Sequence, residues 1–433
     1  MIESLEMHRA LTHRWVTLVT LSALACALDN PAFDGGESAS AVEPSSSASS
    51  TATSGSETAG IPSDWWDTKW RSRRRLVVDN PTSEMLINAP LAVHLNPARI
   101  NYADAAEDGH DLRLVDASDS ALDLEIERWD PLDSSALWAR VPTLPPGKTE
   151  LWLYWDNPVA PPASAGGLWA PSYDAVYHLS ERLSDEQRTI VDASAGNHGS
   201  AFETMSADSS ARGVVGAAVN FMGLSESDPK IGDFIVVDAA PIDTDAWSSL
   251  TLEAWVRHRQ VGEHRVLCKS PSTTTADHIF AIGIHGDEPS HDPTAVFLRL
   301  GVDDQEAVEL LSASGAVEYG ADALWHHLAL TWDGSVVRLY LDGSPEPLRP
   351  AHVDTMYTTS VELPGASLRD HTIPVTIANL NNLLTTPDDA RFWRGELDEI
   401  RLSRRAHTAS WIRFQVESMR DIIIDYNADG ETL

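Results

Sequence analysis

Trp325-His326-His327-Leu328-Ala329-Leu330-Thr331-Trp332-Asp333-Gly334, followed by Val336-Val337-Arg338-Leu339-Tyr340-Leu341-Asp342-Gly343, decides the fold. Two short apolar runs rich in β-branched and aromatic residues flank Asp333-Gly334, and a second Asp-Gly pair closes the unit. Glycine accepts the positive φ of a tight turn, so the pattern reads as a β-hairpin. In the first run His326, Leu328, Leu330 and Trp332 alternate with His327, Ala329 and Thr331. One face is bulky and apolar and the other smaller or polar, as expected of a strand packed against a second sheet.

These residues also resemble a hairpin of the laminin-G-like, concanavalin A-like sandwich family, at Trp325, His326, His327, Ala329, Thr331, Trp332, Asp333, Gly334, Tyr340, Asp342 and Gly343. Gly395-Glu396-Leu397-Asp398-Glu399-Ile400-Arg401-Leu402 resembles that family's closing strand. The resemblance implies a concanavalin A-like jelly roll over residues 170–420 and a binding tendency. Within that span, Thr408 or Ser410 caps a short helix in which Trp411, Ile412, Gln415, Val416 and Met419 have helical spacing, leaving residues 421–433 as a C-terminal tail.

Upstream, residues 75–79, 92–95, 112–115, 122–129, 137–141 and 151–155 read as strands separated by Asn80-Pro81, Asp108-Gly109, Asp130-Pro131 and Pro145-Pro146-Gly147. Short strands at this spacing predict a β-sandwich over residues 64–162. Its motifs, among them Lys69-Trp70-Arg71, Glu125-Ile126-Glu127-Arg128-Trp129 and Tyr154-Trp155-Asp156-Asn157-Pro158, resemble an uncharacterised module found before laminin-G-like domains in bacterial surface proteins. The fold class is therefore all-β, with two β-sandwich domains.

The chain start has the layout of a signal peptide, residues 1–26. His8, Arg9, His13 and Arg14 precede an apolar run from Trp15 to Ala25, too short to span a bilayer. Leu21-Ser22-Ala23-Leu24-Ala25-Cys26 resembles the bacterial lipobox, which makes Cys26 the lipidation site; an ordinary secretion signal is the alternative. Residues 27–63 are rich in Ser and Ala with too little apolar mass to offset chain entropy, so a disordered tether is expected. The reading is export across the inner membrane and lipid anchoring at the outer membrane or cell surface, with Ala27 after the cysteine favouring onward export.

Composition narrows the partners. Against 31 Lys+Arg stand 65 Asp+Glu among 433 residues, a net charge of −34. Such a surface repels nucleic acid and anionic lipid, so membrane contact is expected through the anchor only. With two cysteines, and Cys26 assigned to lipid, Cys268 has no disulfide partner and reads as a small apolar strand residue.

Jelly-roll glucanases carry carboxylates at alternate positions of one strand, because a period of two puts them on one face. Glu396-Leu397-Asp398 offers two members of a Glu-x-Asp-x-x-Glu set, but the third position holds Arg401. Without a second glutamate no acid protonates the leaving group. No enzymatic activity is expected. Asp123, Glu125 and Glu127 share a strand face and read as a solvated acidic stripe, with a catalytic or metal cluster as the alternative. His326 and His327 are adjacent on a strand and point to opposite faces, so they do not chelate one ion together.

The family resemblance also implies a structural calcium ion at the sandwich edge. Asp192, Ser194 and Asn197 in one loop, with Asp398 and Glu399 on the closing strand, are the candidate ligands; an Asx turn is the alternative reading. Trp393 and Trp247 are the candidate sugar-stacking rings. The expected function is non-catalytic recognition of a glycan or an extracellular protein. A jelly-roll glycoside hydrolase or lyase, and a purely structural envelope protein, are the alternatives.

Overall fold

A computed structural model describes residues 64–223, 232–237, 242–286, 294–313, 315–353, 356–369, 371–380, 391–426 and 430–433. The signal peptide, Cys26 and the tether lie outside the described residues.

The quoted hairpin is present as strands His326–Trp332 and Val336–Leu341, in register Trp332↔Val337 and Leu330↔Leu339. Gly334 turns it with φ 86°. Leu328, Leu330 and Trp332 enter one core with Leu250, Leu252, Ala254 and Val256 of the neighbouring strand Leu250–His258. Those residues pack against the second large sheet through Phe280, Ile282, Val296, Leu298 and Leu300. That is the concanavalin A-like sandwich: one sheet carries the hairpin, Leu250–His258, Arg394–Ser403 and Ala217–Met222, and the other carries His264–Lys269, Phe280–Ile284, Val296–Leu300 and Val308–Ser312.

The expected strands of the first module all form. Ser72–Asn80, Gly147–Trp155 and Arg113–Asp116 make one sheet; Leu86–Leu95, Ser135–Leu144 and Leu124–Arg128 make the other. Residues 421–433, read from sequence as a tail, contribute to this module. Ile424–Asp425 and Glu431–Thr432 both pair with Ser72–Asn80. A strand edge with free N–H and C=O groups accepts such additions wherever they come from in the chain.

The polar-looking face of the hairpin sheet is covered too. Trp255, Ala329 and Tyr340 belong to the same core as Leu91, Val93, Leu137 and Trp138 of the first module. Between them lies the helix Ala409–Met419, capped by the Thr408 hydroxyl, which accepts from the Trp411 N–H at 3.2 Å. Trp411, Ile412, Val416 and Met419 face this shared core, as their spacing requires. Gln415 donates to the Pro90 carbonyl at 2.9 Å, and the Ser418 hydroxyl accepts from the Ala92 N–H at 2.8 Å. The two sandwiches thus share one interior.

Candidate functional site

The opening strand Ala175–Tyr177 pairs with the closing strand through Ile400↔Tyr177, Arg401↔Val176 and Leu402↔Ala175, which sets His178 beside Glu399. Opposite Leu250–His258 the closing strand breaks register between Glu253 and Trp255, where Arg401 and Asp398 are the respective partners. The extra residue is a β-bulge, and Glu399 adopts φ 51° within it. Leu397 and Ile400 stay in the sandwich core. Asp398, Glu399 and Arg401 are thereby all sent to the opposite side, toward the first module.

There they meet Glu125 and Glu127 of strand Leu124–Arg128. The acidic stripe is therefore only partly solvated: the Glu127 side chain is 0% exposed, while Glu125 and Asp123 keep 24% and 19%. Asp123, at the end of the stripe, is paired with Arg140. Period-two alternation told that these carboxylates share a face, but the cover comes from residues far along the chain.

His178 Nδ1 lies 2.5 Å from Glu399 Oε1 and 3.7 Å from Glu127 Oε2, and His178 Nε2 lies 3.7 Å from Glu125 Oε1. Trp138 Nε1 donates to Glu127 Oε2 at 2.8 Å, and Trp169 Nε1 donates to Glu125 Oε2 at 2.8 Å. Both indoles pack against the imidazole, with centroids at 5.8 and 5.3 Å. Arg401, fully buried, donates to Glu399 Oε2 at 3.0 Å and to Gln415 Oε1 at 2.9 Å. Its guanidinium lies 4.6, 5.0 and 5.4 Å from the rings of Trp138, Trp169 and Tyr173. The planar cation is well suited to pairing with a carboxylate and stacking on rings at once. This is what occupies the position of a third catalytic glutamate.

The electrostatics follow from burial and charge. Burial disfavours the charged form of Glu127 and raises its pKa to about 8, helped by the neighbouring Glu399. Burial likewise pushes Asp398 well above the usual carboxylate range, with Glu399 and Glu127 adding to it. For Glu399 burial works in the same sense, but His178 and Arg401 outweigh it and lower its pKa. Burial opposes protonation of His178, yet Glu399, Glu125 and Glu127 hold its pKa well above the histidine range.

The calcium set does not fit. Asp192 is buried, and its two carboxylate oxygens already accept from the N–H groups of Val176, Ser194, Ala195 and Asn197 at 2.8–3.2 Å. Ser194 donates to the Tyr173 carbonyl and Asn197 to the Asp174 carbonyl. That is an Asx-type turn with its donors and acceptors in use. Asp398 Oδ2 accepts from the Val214 and Val215 N–H groups at 2.7 and 3.2 Å, and Glu399 is held by Arg401. The ring positions are corrected as well. Trp393 is 0% exposed and Trp247 5%, so neither offers a face to a sugar. Aromatic residues in strand-like sequence serve a core or a surface equally, and here both were claimed by packing.

A groove of about 500 Å³ opens where the two sandwiches meet, lined by Glu127, Arg128, Asp133, Ser180, Ser210 and Arg212 among others. The sequence held no signal for it, since its walls come from both modules.

Comparison with known proteins places these features. Residues 232–413 match the family model of the concanavalin A-like lectin/glucanases superfamily, and residues 108–180 match a domain of unknown function (DUF2341). Calsyntenin-1 of Mus musculus is 24% identical over 170 residues, 36% of this chain and 16% of that protein. Calsyntenin-1 of Homo sapiens is 25% identical over 162 residues, 34% of this chain and 16% of that protein. The chain thus spans about a sixth of these curated relatives, 16% of their length. Among solved structures, the binding domain of Paraclostridial Mosquitocidal Protein 1 is 14% identical with a TM-score of 0.38, covering 57% of this chain and 52% of that one. The binding domain of Botulinum Neurotoxin DC in complex with SialylT is 9% identical with a TM-score of 0.35, at 57% and 52% coverage. Likeness this loose carries no functional assignment. By these matches the chain bears a concanavalin A-like lectin/glucanases superfamily segment over residues 232–413, preceded by a module of unknown function.

Proposed function

We propose that this is a non-catalytic extracellular binding protein that recognises a glycan or a protein through its concanavalin A-like segment, held at a bacterial surface by lipid on Cys26. The observation that carries the reading is the closing strand. The carboxylates on it are already engaged: Glu396 by Arg257 and Arg259, one oxygen of the buried Asp398 by backbone N–H groups, and Glu399 by His178 and Arg401. Glycoside hydrolysis requires two carboxylic groups facing each other across the sugar. The ligand-stacking rings are those the sandwich leaves exposed, Tyr319 at 43% and Tyr357 at 41%.

A glycan array and a reducing-end assay on the intact chain test the reading together. Saturable binding is expected, weakened about fivefold by Tyr357→Ala or Tyr319→Ala, the loss of one stacking contact of about 1 kcal/mol. No reducing ends should appear. Their release by the wild-type chain, abolished by Glu396→Gln, would instead make it a glycosidase.

A further inference from the structure

We propose that Glu127, His178 and Glu399 form a binding site for a divalent transition-metal ion of the Zn²⁺ or Mn²⁺ type, at the junction of the two sandwiches. One oxygen from each glutamate and one ring nitrogen from the histidine all lie within 4.8 Å of one another. Donors sharing one ion at about 2.0–2.2 Å sit about 3–4 Å apart, so an ion entering here takes the place of the proton held between His178 Nδ1 and Glu399 Oε1. The geometry is prepared by residues that come from three distant parts of the chain. Glu127 arrives on Leu124–Arg128, His178 follows Ala175–Tyr177, and the bulge aims Glu399 at both.

One buried atom on a donor side chain points to a missing ligand. Glu127 Oε1 has no hydrogen-bond partner although that side chain is 0% exposed, whereas His178 Nε2, likewise unpartnered, faces Glu125 Oε1 at 3.7 Å. Buried polar atoms are nearly always satisfied, and each one left over calls for an explanation. Gly216 packs against Glu127 Oε1 so closely that a Cβ there would come within 2.0 Å of it, which requires glycine at that position.

The surroundings resemble the support that metal ligands receive. Trp138 Nε1 orients Glu127, and Arg401 orients Glu399 while leaving Glu399 Oε1 turned to the histidine. Glu125 Oε1 lies 3.7 Å from the other ring nitrogen, His178 Nε2. A donor set of one imidazole and carboxylates suits Zn²⁺ or Mn²⁺; calcium prefers oxygen alone, and copper(I) wants sulfur. Glu127 also borders the groove of about 500 Å³, although its side chain is closed off from solvent. The site is independent of any glycan or protein ligand.

The test is calorimetric titration of the intact chain with Zn²⁺, Mn²⁺ and Ca²⁺ separately, with X-ray absorption on the zinc-loaded protein. One equivalent of Zn²⁺ or Mn²⁺ is expected to bind more tightly than Ca²⁺. Absorption should report one imidazole nitrogen with oxygens. Glu127→Gln, which keeps the shape, should lower affinity at least tenfold, and His178→Gln likewise. If a variant does not fold, the absorption spectrum of the wild-type protein still decides. No saturable binding, tighter binding of Ca²⁺, an all-oxygen shell, or affinity unchanged in both folded variants would each overturn the proposal. The last two would put the ion on the acidic surface.

Discussion

Replacing Arg401 by methionine is expected to cost the folded chain about 3–5 kcal/mol, read as a lower midpoint in urea unfolding of the intact protein. Methionine keeps much of the apolar bulk between Trp138, Trp169 and Tyr173, so the loss is mainly electrostatic. It leaves the Glu399 carboxylate buried beside Asp398 with His178 as its remaining close cation. It also frees Gln415 Oε1, which Arg401 satisfies at 2.9 Å. The double substitution Arg401→Met with Glu399→Gln should recover part of the stability, because removing both charges avoids an uncompensated one. A single-variant loss under about 1 kcal/mol would mean that the pair behaves as though exposed to solvent.

Acid is expected to remove about 3 kcal/mol of stability through Glu263 alone, between pH 4.5 and 2. This carboxylate immediately precedes His264–Lys269 of the other sheet. It faces Arg265 at 2.6 Å, Arg299 at 3.1 Å and Arg391 at 3.1 Å, with His264 adjacent and Glu309 sharing Arg299. Burial opposes its ionisation, but the three guanidinium groups win and lower its pKa from 4.5 to about 2. A depressed folded-state pKa means stabilisation that is complete above the unfolded value and is lost as pH falls through the folded one. Glu263→Gln should therefore be less stable than wild type at pH 7 and converge with it near pH 2. A difference that stays constant from pH 7 to pH 2 would assign the effect to packing rather than charge.

How much of this was legible depends on what each residue's neighbours in sequence reveal. The hairpin around Asp333-Gly334 was readable because both its turn and its core face are local. So was the helix after Thr408, whose cap and spacing lie within three turns. The candidate cluster was not. Asp123, Glu125 and Glu127 share a face by alternation alone, but alternation does not say whether water or another module covers that face. Their cover is His178 and Glu399, and Glu399 reaches it only through a bulge that strict alternation forbids. Asp192, Ser194 and Asn197 were found as a loop, yet a calcium loop and an Asx turn use the same residue types. Trp393 and Trp247 failed as ligand rings for a comparable reason: side-chain chemistry does not encode exposure.

The central claim is that the two sandwiches are one folding unit, closed by the helix Ala409–Met419 and by the ion network around Arg401. Differential scanning calorimetry of the intact chain tests it most directly. One transition is expected, with calorimetric and van't Hoff enthalpies agreeing to a ratio of about 1, and Arg401→Met should move the whole of it. Two resolved transitions, only one of them shifted by that substitution, would contradict a shared interior.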